Sequence, residues 1–254
     1  MGLSLGLGIA VNKKDVVSVD FTPSDLGSTM LVWYKNQGMR DASGTDGTSA
    51  NRLEWADVSG NNNHAIQDTT ADKPAVAEGG CLDFELDDTD SMDLTTPLDF
   101  GHPNQFTFFF VVERESVSTQ QALIGSTGTN QFIAFSTNAD RLKVRSSGSG
   151  GDNITFTFAT ATGLWPADEP FILTITKDDV GRLMVYKDGV HQAESGGGVS
   201  VNNGATMTFA HLGTKQPDTH NFDGSMCEII ICDTVLSDGD RNNTITYLKD
   251  KFSI

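Results

Sequence analysis

Short hydrophobic runs, many of them with every second position polar, follow one another through most of the chain. In one of them Leu82 and Phe84 alternate with acidic residues, the period-2 pattern of a half-buried β-strand. Two other runs, 106–112 and 226–232, are hydrophobic at nearly every position, which predicts central strands covered on both faces. The pattern therefore predicts many short strands packed in layers.

Two local signals refine this prediction. Asp188-Gly189 separates two strand-like runs and predicts a tight hairpin, because both residues tolerate positive φ. Near the C-terminus Ser237 is a candidate cap for the only convincing helix. The helix has an apolar stripe made of Ile245, Leu248 and Phe252. The predicted fold is all-β: residues 29–254 form a two-sheet antiparallel jelly-roll sandwich of about a dozen strands, with one short C-terminal helix.

Residues 1–28 form a different kind of segment. Leu3, Leu5, Leu7 and Ile9 alternate with Ser or Gly, which suits a strand that adds to the sheet edge of a partner. The sequence predicts an N-terminal docking arm, with a disordered tail as the alternative.

Charge excludes some classes of partner. The chain has 17 Lys and Arg against 34 Asp and Glu, a net charge of −17. A nucleic-acid binder needs a basic surface to neutralise phosphates, so that class is excluded. The longest apolar runs are too short to span a bilayer, which predicts no membrane insertion.

The three cysteines are odd in number and irregularly spaced. In one strand, Cys227 and Cys232 would point to opposite faces and so could not pair. The prediction is three buried free thiols and folding in a reducing cytoplasm.

Four segments together resemble a known family. They are Trp-Ala-Asp-Val-Ser-Gly-Asn-Asn-Asn-His-Ala at 55–65, Lys-Pro and Gly-Cys-Leu-Asp-Phe-Glu at 73–85, Leu-Met-Val-Tyr-Lys-Asp-Gly at 183–189, and Phe-Asp-Gly-Ser-Met-Cys-Glu-Ile-Ile-Ile at 222–231. In this order they are similar to the conserved stretches of concanavalin A-like lectin/glucanase (laminin G-like) domains. The resemblance implies a jelly roll, in agreement with the strand pattern.

The resemblance also suggests the kind of biological assembly to which the protein belongs. Domains that end in a Tyr-Leu-x-x-Lys-Phe helix, as at 247–252, are similar to those of phage virion proteins and marine bacterial surface proteins. It implies a non-enzymatic virion structural protein (a capsid decoration, tail or appendage component) made in the host cytoplasm. Its expected partners are other virion proteins, bound through the arm in a homo- or hetero-oligomeric assembly, and host surface glycans.

Candidate sugar-binding residues lie in polar loops. Asn202, Asn203 and His220 could bond hydroxyl groups, and Trp165 could stack on a sugar ring. The alternative for Trp165 is a plug at the edge of the sandwich.

Candidate calcium ligands are Asp57, Asn61, Asn63 and Asp223, because calcium prefers carboxylate and amide oxygens. Structural calcium is the only cofactor expected. The alternative is an Asx-turn, in which Asp57 and Asn61 bond their own backbone.

The acidic stretch Glu85, Asp87 and Asp90 resembles the catalytic strand of laminarinase-type glucanases. On a flat strand, however, Asp90 would face away from the other two, so the stretch is predicted to be a solvated turn and the protein not an enzyme. Two alternatives stay open: a glucanase-type glycoside hydrolase, and a calcium-dependent secreted carbohydrate-binding protein.

Overall fold

The computed structural model describes residues 21–40, 52–86, 89–101, 105–128, 131–137, 141–145, 153–157, 163–193, 206–215 and 220–254. Within them lie sixteen strands, three short 3-10 segments (Pro23–Thr29, Thr70–Asp72 and Glu78–Gly80) and one α-helix. The strands are β1 Met30–Arg40, β2 Leu53–Asp57, β3 Ala65–Gln67, β4 Ala75–Val76, β5 Leu82–Phe84, β6 Met92–Asp99, β7 Phe106–Arg114, β8 Gln121–Gly125, β9 Phe132–Phe135, β10 Arg141–Arg145, β11 Asn153–Thr157, β12 Phe171–Lys177, β13 Leu183–Lys187, β14 Val190–His191, β15 Thr208–Leu212 and β16 Gly224–Cys232. The helix, α1, is Asp238–Phe252.

The strands form two antiparallel layers that share β1. One layer runs in the order β11-β10-β9-β8-β15-β6-β3-β2, and the other in the order β16-β7-β12-β13-β14. The first half of β1 pairs with β16, where Tyr34 lies opposite Ile229, and its second half pairs with β2, where Met39 lies opposite Trp55. The predicted two-sheet antiparallel sandwich is confirmed.

Two hydrophobic clusters hold the layers in place. The larger lies between the sheets and takes Phe108, Phe110 and Val112 from β7. The neighbouring residues Phe109 and Val111 point the other way, into a second cluster beneath α1. Strand β7 is therefore covered on both faces, as its uninterrupted hydrophobic run predicts.

The hairpin and helix predictions are also confirmed. Asp188 and Gly189 both have positive φ, 50° and 81°, between β13 and β14. The Ser237 hydroxyl oxygen accepts a hydrogen bond from the Asp240 amide at 3.1 Å, which caps α1. Among the described residues, no helix is long and apolar enough to cross a membrane.

The structure describes the last part of the predicted N-terminal arm, from residue 21 onward. Residues 1–20, with Leu3, Leu5, Leu7 and Ile9, lie outside the described residues. The adjoining Phe21 and Leu26 pack into the cluster beneath α1, and Leu26 is buried. Residues 21–28 thus contribute to the packing of the domain.

The prediction of three free thiols is wrong. Cys81 and Cys227 form a disulfide across the paired strands β5 and β16, where Leu82 lies opposite Met226. Cys232 is free and buried. The sequence separation of 146 residues hid the pair, because only the pairing of distant strands brings the two residues together. The inference of a reducing compartment loses its basis with the two free thiols.

A buried lysine gives a testable pH dependence. Lys177 at the end of β12 is fully buried, and this burial lowers its pKa to about 8, while the charges of Asp178 and Asp179 oppose the shift. Between pH 8 and the unfolded value near 10.5 the unfolded chain binds more protons, so the free energy of unfolding rises with pH in that window. Below pH 8 the cost of burying the charge is fully present.

We expect Lys177→Met to remove this rise and to stabilise the protein at pH 7.5 by about 2 kcal/mol. Urea unfolding at pH 7.5, 9 and 10.5 measures it, with Lys249→Met on α1 as the control. Equal pH slopes in the native protein and Lys177→Met would contradict the assignment.

Candidate carbohydrate-binding site

Turns from four parts of the chain meet around an open cleft at one end of the sandwich. The cleft has a volume of about 590 Å³ and is lined by Leu86, Ser118, Thr119, Gln120, Thr137 and His220. Ser118, Thr119 and Gln120 lie in the connection between β7 and β8, and Thr137 follows β9. The lining combines hydroxyl, amide and imidazole groups with one aliphatic side chain, a composition suited to a polyhydroxylated ligand.

His220 is held in the cleft wall by its backbone. Its φ is 58°, and its carbonyl accepts a hydrogen bond from the Ala122 amide at 2.7 Å. Burial, followed by the positive charges of Lys215 and Lys143, lowers the pKa of its imidazole. At pH 7 the ring is therefore neutral, with one nitrogen that donates and one that accepts.

The segment that carries His220 is a loop whose two ends are joined. The Phe222 amide donates to the Gly213 carbonyl at 2.7 Å, and the Gly213 amide donates to the Leu123 carbonyl at 3.0 Å. The loop also passes over Gly125 of β8, where an added Cβ would lie 2.1 Å from the Lys215 carbonyl oxygen. Glycine at 125 is thus required for this close approach.

A hydrogen-bonded chain lies farther along the sheet that carries β8. Asp93 Oδ1 lies 2.6 Å from His211 Nδ1, and His211 Nε2 lies 2.8 Å from Thr127 Oγ1. The carboxylate fixes the ring orientation of a buried histidine, and the ring holds an exposed threonine at the end of β8. No sequence motif links these three residues, because Asp93, Thr127 and His211 lie on or beside three different strands.

Of the predicted sugar-binding residues, His220 lines the cleft and Trp165 does not. Trp165 is fully buried, with its ring centroid 5.7 Å from that of Phe135 and 5.5 Å from that of Phe171. No face of the indole is open to a sugar, so the prediction for Trp165 is corrected to its alternative, a plug in the sandwich. Asn202 and Asn203 lie outside the described residues.

Asp57 forms a turn that does not fit calcium. Its Oδ1 accepts from the amides of Trp33 at 3.0 Å and Ser59 at 2.9 Å. Its Oδ2 accepts from the Ser59 hydroxyl at 2.9 Å and the Asn63 amide at 3.0 Å. Four protein donors occupy the carboxylate, so the Asx-turn alternative describes this residue.

The other predicted ligands have separate roles. The Asn61 side-chain amide donates to the Met30 carbonyl at 2.8 Å, and the Asn63 carbonyl accepts from the Tyr34 hydroxyl. Both residues thus fasten the turn to β1. Asp223 belongs to a different group of side chains, so the predicted four-residue calcium site is not assembled as expected.

Asp223 joins two glutamates at the edge of the sandwich. One carboxylate oxygen from each of Glu85, Glu115 and Asp223 lies within 4.8 Å of the others. Burial, together with the negative charges around it, raises the pKa of Glu115. Asp90 is buried and accepts a hydrogen bond from the Glu85 amide at 2.9 Å, whereas Asp87 lies outside the described residues.

Most cleft residues escaped the sequence analysis because they come from short polar turns. Ser118, Thr119, Gln120 and Thr137 belong to no motif, and only the folded sheet brings their turns together. The one available signal was the position of each turn directly beside a buried strand, a common place for binding residues.

Comparison with solved structures supports the same fold. The ligand-binding domain of botulinum neurotoxin serotype D in complex with N-acetylneuraminic acid has a TM-score of 0.57 at 13% identity, over 89% of this chain and 53% of that one. The binding domain of botulinum neurotoxin DC in complex with SialylT has a TM-score of 0.55 at 18% identity, over 89% and 52%. Trypanosoma rangeli sialidase in complex with sialic acid has a TM-score of 0.57 at 14% identity, over 88% and 34%.

These neighbours are longer proteins: the chain spans about half the length of the toxin chains and a third of the sialidase. A search of curated protein sequences finds no match. The family model described as concanavalin A-like lectin/glucanases superfamily matches residues 86–240, which is more than half of the chain. With the jelly-roll sandwich already described, this match places the chain in the concanavalin A-like lectin/glucanase superfamily.

Proposed function

We propose that this protein is a non-enzymatic carbohydrate-binding module and that the cleft around His220 holds the glycan. The observation that carries the proposal is the cleft itself, an open depression bordered by side chains that carry hydroxyl, amide and imidazole groups. Sugars are recognised through hydroxyl groups that both donate and accept, and these side chains do the same. Neighbours of the same fold were solved with sialic acid or SialylT bound, which is consistent with the proposal.

A glycan array probed with the intact chain tests the proposal. We expect a defined set of oligosaccharides to bind, and we expect Thr137→Val and His220→Asn each to weaken the best ligand about tenfold, the effect of losing roughly one well-placed hydrogen bond. Valine keeps the shape of threonine, and asparagine tolerates the positive φ of residue 220. Thr246→Val on the exposed side of α1 is the matched control.

A measurement in the presence of a chelator tests the calcium-dependent alternative. A calcium-dependent lectin would lose binding in a chelator, whereas the carboxylate of Asp57 is already occupied by protein donors, so we expect binding to persist. No glycan bound anywhere on the array would overturn the proposed function.

The glycoside hydrolase alternative has one observation in its favour. Retaining glycosidases use two carboxyl groups about 5 Å apart, one of them with a raised pKa, and Glu85, Glu115 and Asp223 form a group of comparable spacing. Glu85 and Glu115 are exposed, however, and neither lines the described cleft. We expect no release of reducing ends from β-glucans; release that Glu115→Gln abolishes would favour the hydrolase.

For its setting, we propose a phage particle on which the domain displays its cleft and residues 1–20 dock on another virion protein. The support is the alternation of Leu3, Leu5, Leu7 and Ile9 and the resemblance of the C-terminal helix. Deletion of residues 1–20 leaves Phe21 and Leu26 in place and should abolish incorporation into particles, as measured by mass spectrometry of purified virions. Unchanged incorporation would exclude the arm.

A further inference from the structure

A cluster of cationic side chains flanks the cleft. It comprises Lys143 and Arg145 on β10 and Lys215 in the loop after β15, together with the neutral imidazole of His220, and we call it the basic cluster. Its members are close enough to shift one another's pKa. Burial is the main cause of the lowered pKa of Lys215, and the positive charges of Arg145 and Lys143 lower it further. Burial is also the main cause of the lowered pKa of His220, and the positive charges of Lys215 and Lys143 add to it.

The strand register holds Lys143 and Arg145 on one face. Lys143 lies opposite Ala134 and Arg145 opposite Phe132, so both side chains leave the outer face of β10 while Leu142 and Val144 point into the core. The Lys143 ammonium donates to Gln120 Oε1 at 2.8 Å, and Gln120 lines the cleft. The Lys143 side chain is thus directed toward the cleft wall.

Lys215 is positioned by the loop after β15. Its ammonium lies 5.2 Å from the centre of the Phe132 ring, a cation–π contact, while its backbone passes over Gly125. The segment therefore carries Lys215 across β8 to the neighbouring strand. Because His220 ends the same loop, the loop supplies both Lys215 and the His220 imidazole.

This positive charge stands out in a chain of net charge −17. Acidic residues outnumber basic ones two to one, yet no salt bridge among the described residues involves Lys143 or Lys215. Clustered like charges raise the free energy of the folded state, and a bound anion would relieve their repulsion. Ammonium groups beside a cleft form strong charge-assisted bonds with carboxylates and sulfates.

We propose that the basic cluster selects acidic glycans, with the anionic substituent placed between Lys143, Lys215 and His220. The inference rests on the proposed function, since it assigns a substrate class to the same cleft. The sugar hydroxyls meet Ser118 and Thr137, and the carboxylate or sulfate meets the two ammonium groups and an N–H of the His220 imidazole.

The test is an array printed with matched pairs that differ only in charge. The pairs are galacturonan and its methyl ester, hyaluronan and its carboxyl-reduced form, and sialyllactose and lactose, with one sulfated and unsulfated pair to separate the two anions. We expect the acidic member of at least one pair to bind at least tenfold more tightly than its neutral partner. Lys143→Gln and Lys215→Gln should each reduce that ratio about fivefold and leave the neutral member unchanged.

Lys35→Gln is the control, because it makes the same change in net charge on an exposed residue of β1, beside Trp33 in the cluster beneath α1. Equal binding of both members in every pair would overturn the inference and leave the proposed function standing. The absence of any binding would overturn both. A preference for acidic members that survives Lys143→Gln, Lys215→Gln and the double variant would place the anion elsewhere and overturn the assignment.

Discussion

Asp57→Asn is expected to lower the free energy of unfolding by roughly 3–5 kcal/mol. Asp57 is 6% exposed, and its carboxylate accepts four hydrogen bonds, three from backbone amides and one from the Ser59 hydroxyl. Asparagine keeps one of the two oxygens and turns the other into an NH₂ group that faces donors. Buried amides then lose their partner, and hydrogen bonds to a charged acceptor are the costly ones to remove.

Urea unfolding at pH 7 measures this loss. Asp250→Asn on α1 makes the same change in charge at an exposed position and should shift stability by less than about 0.5 kcal/mol. The hydrogen bonds of this turn also link β2 to β1, so we expect the loss of stability to affect the whole domain. Fluorescence and circular dichroism should then report a single unfolding transition. A loss below about 1 kcal/mol would mean that the turn reorganises without the carboxylate.

Lys251→Met should cost about 3 kcal/mol, the second largest effect, because it strands a buried carboxylate. Glu228 on β16 is 1% exposed and accepts from Trp33 Nε1 at 2.8 Å and from the Lys251 ammonium of α1. The same ammonium lies 3.4 Å from the Tyr247 hydroxyl. Without Lys251 the carboxylate keeps only neutral donors, the Trp33 indole N–H and the Tyr247 hydroxyl, and α1 loses its charged attachment to the sheet.

A double-mutant cycle with Glu228→Gln isolates this interaction. The neutral amide needs no cation, so Glu228→Gln/Lys251→Met should be at least 1 kcal/mol more stable than Lys251→Met alone. Lys249→Met, two residues away in the last turn of the same helix, is the control for the loss of a cation near the helix C-terminus. A double variant as unstable as the sum of the singles would show that the two residues act independently.

Local patterns predicted what local forces determine. The continuous run of β7 and the Asp188-Gly189 turn are both as expected, because burial and backbone preference act over a few residues. The fold class followed from these signals and from the resemblance. The strand order could not be read in this way, since β1 joins partners from both ends of the chain.

The candidate site depended on long-range pairing and was largely hidden. His220 was predicted from its polar loop, but its neighbours Thr119 and Thr137 come from turns that only the sheet brings together. Trp165 shows the opposite error: its Gly-Leu-Trp-Pro setting is typical of an exposed loop, yet the ring fills space between Phe135 and Phe171. For Asp57 the residue types allowed both a metal and a turn, and only the positions of the surrounding amides distinguish them.

The bond between Cys81 and Cys227 has a consequence for the integrity of the molecule outside a cell. It encloses all six residues that line the cleft, the basic cluster and the loop around Lys215 in one covalent ring. A single cut by a protease at any peptide bond within that ring opens it without releasing a fragment. The two pieces stay tethered at neighbouring strands, so a nicked copy can keep its shape and its ligand until a reductant separates them.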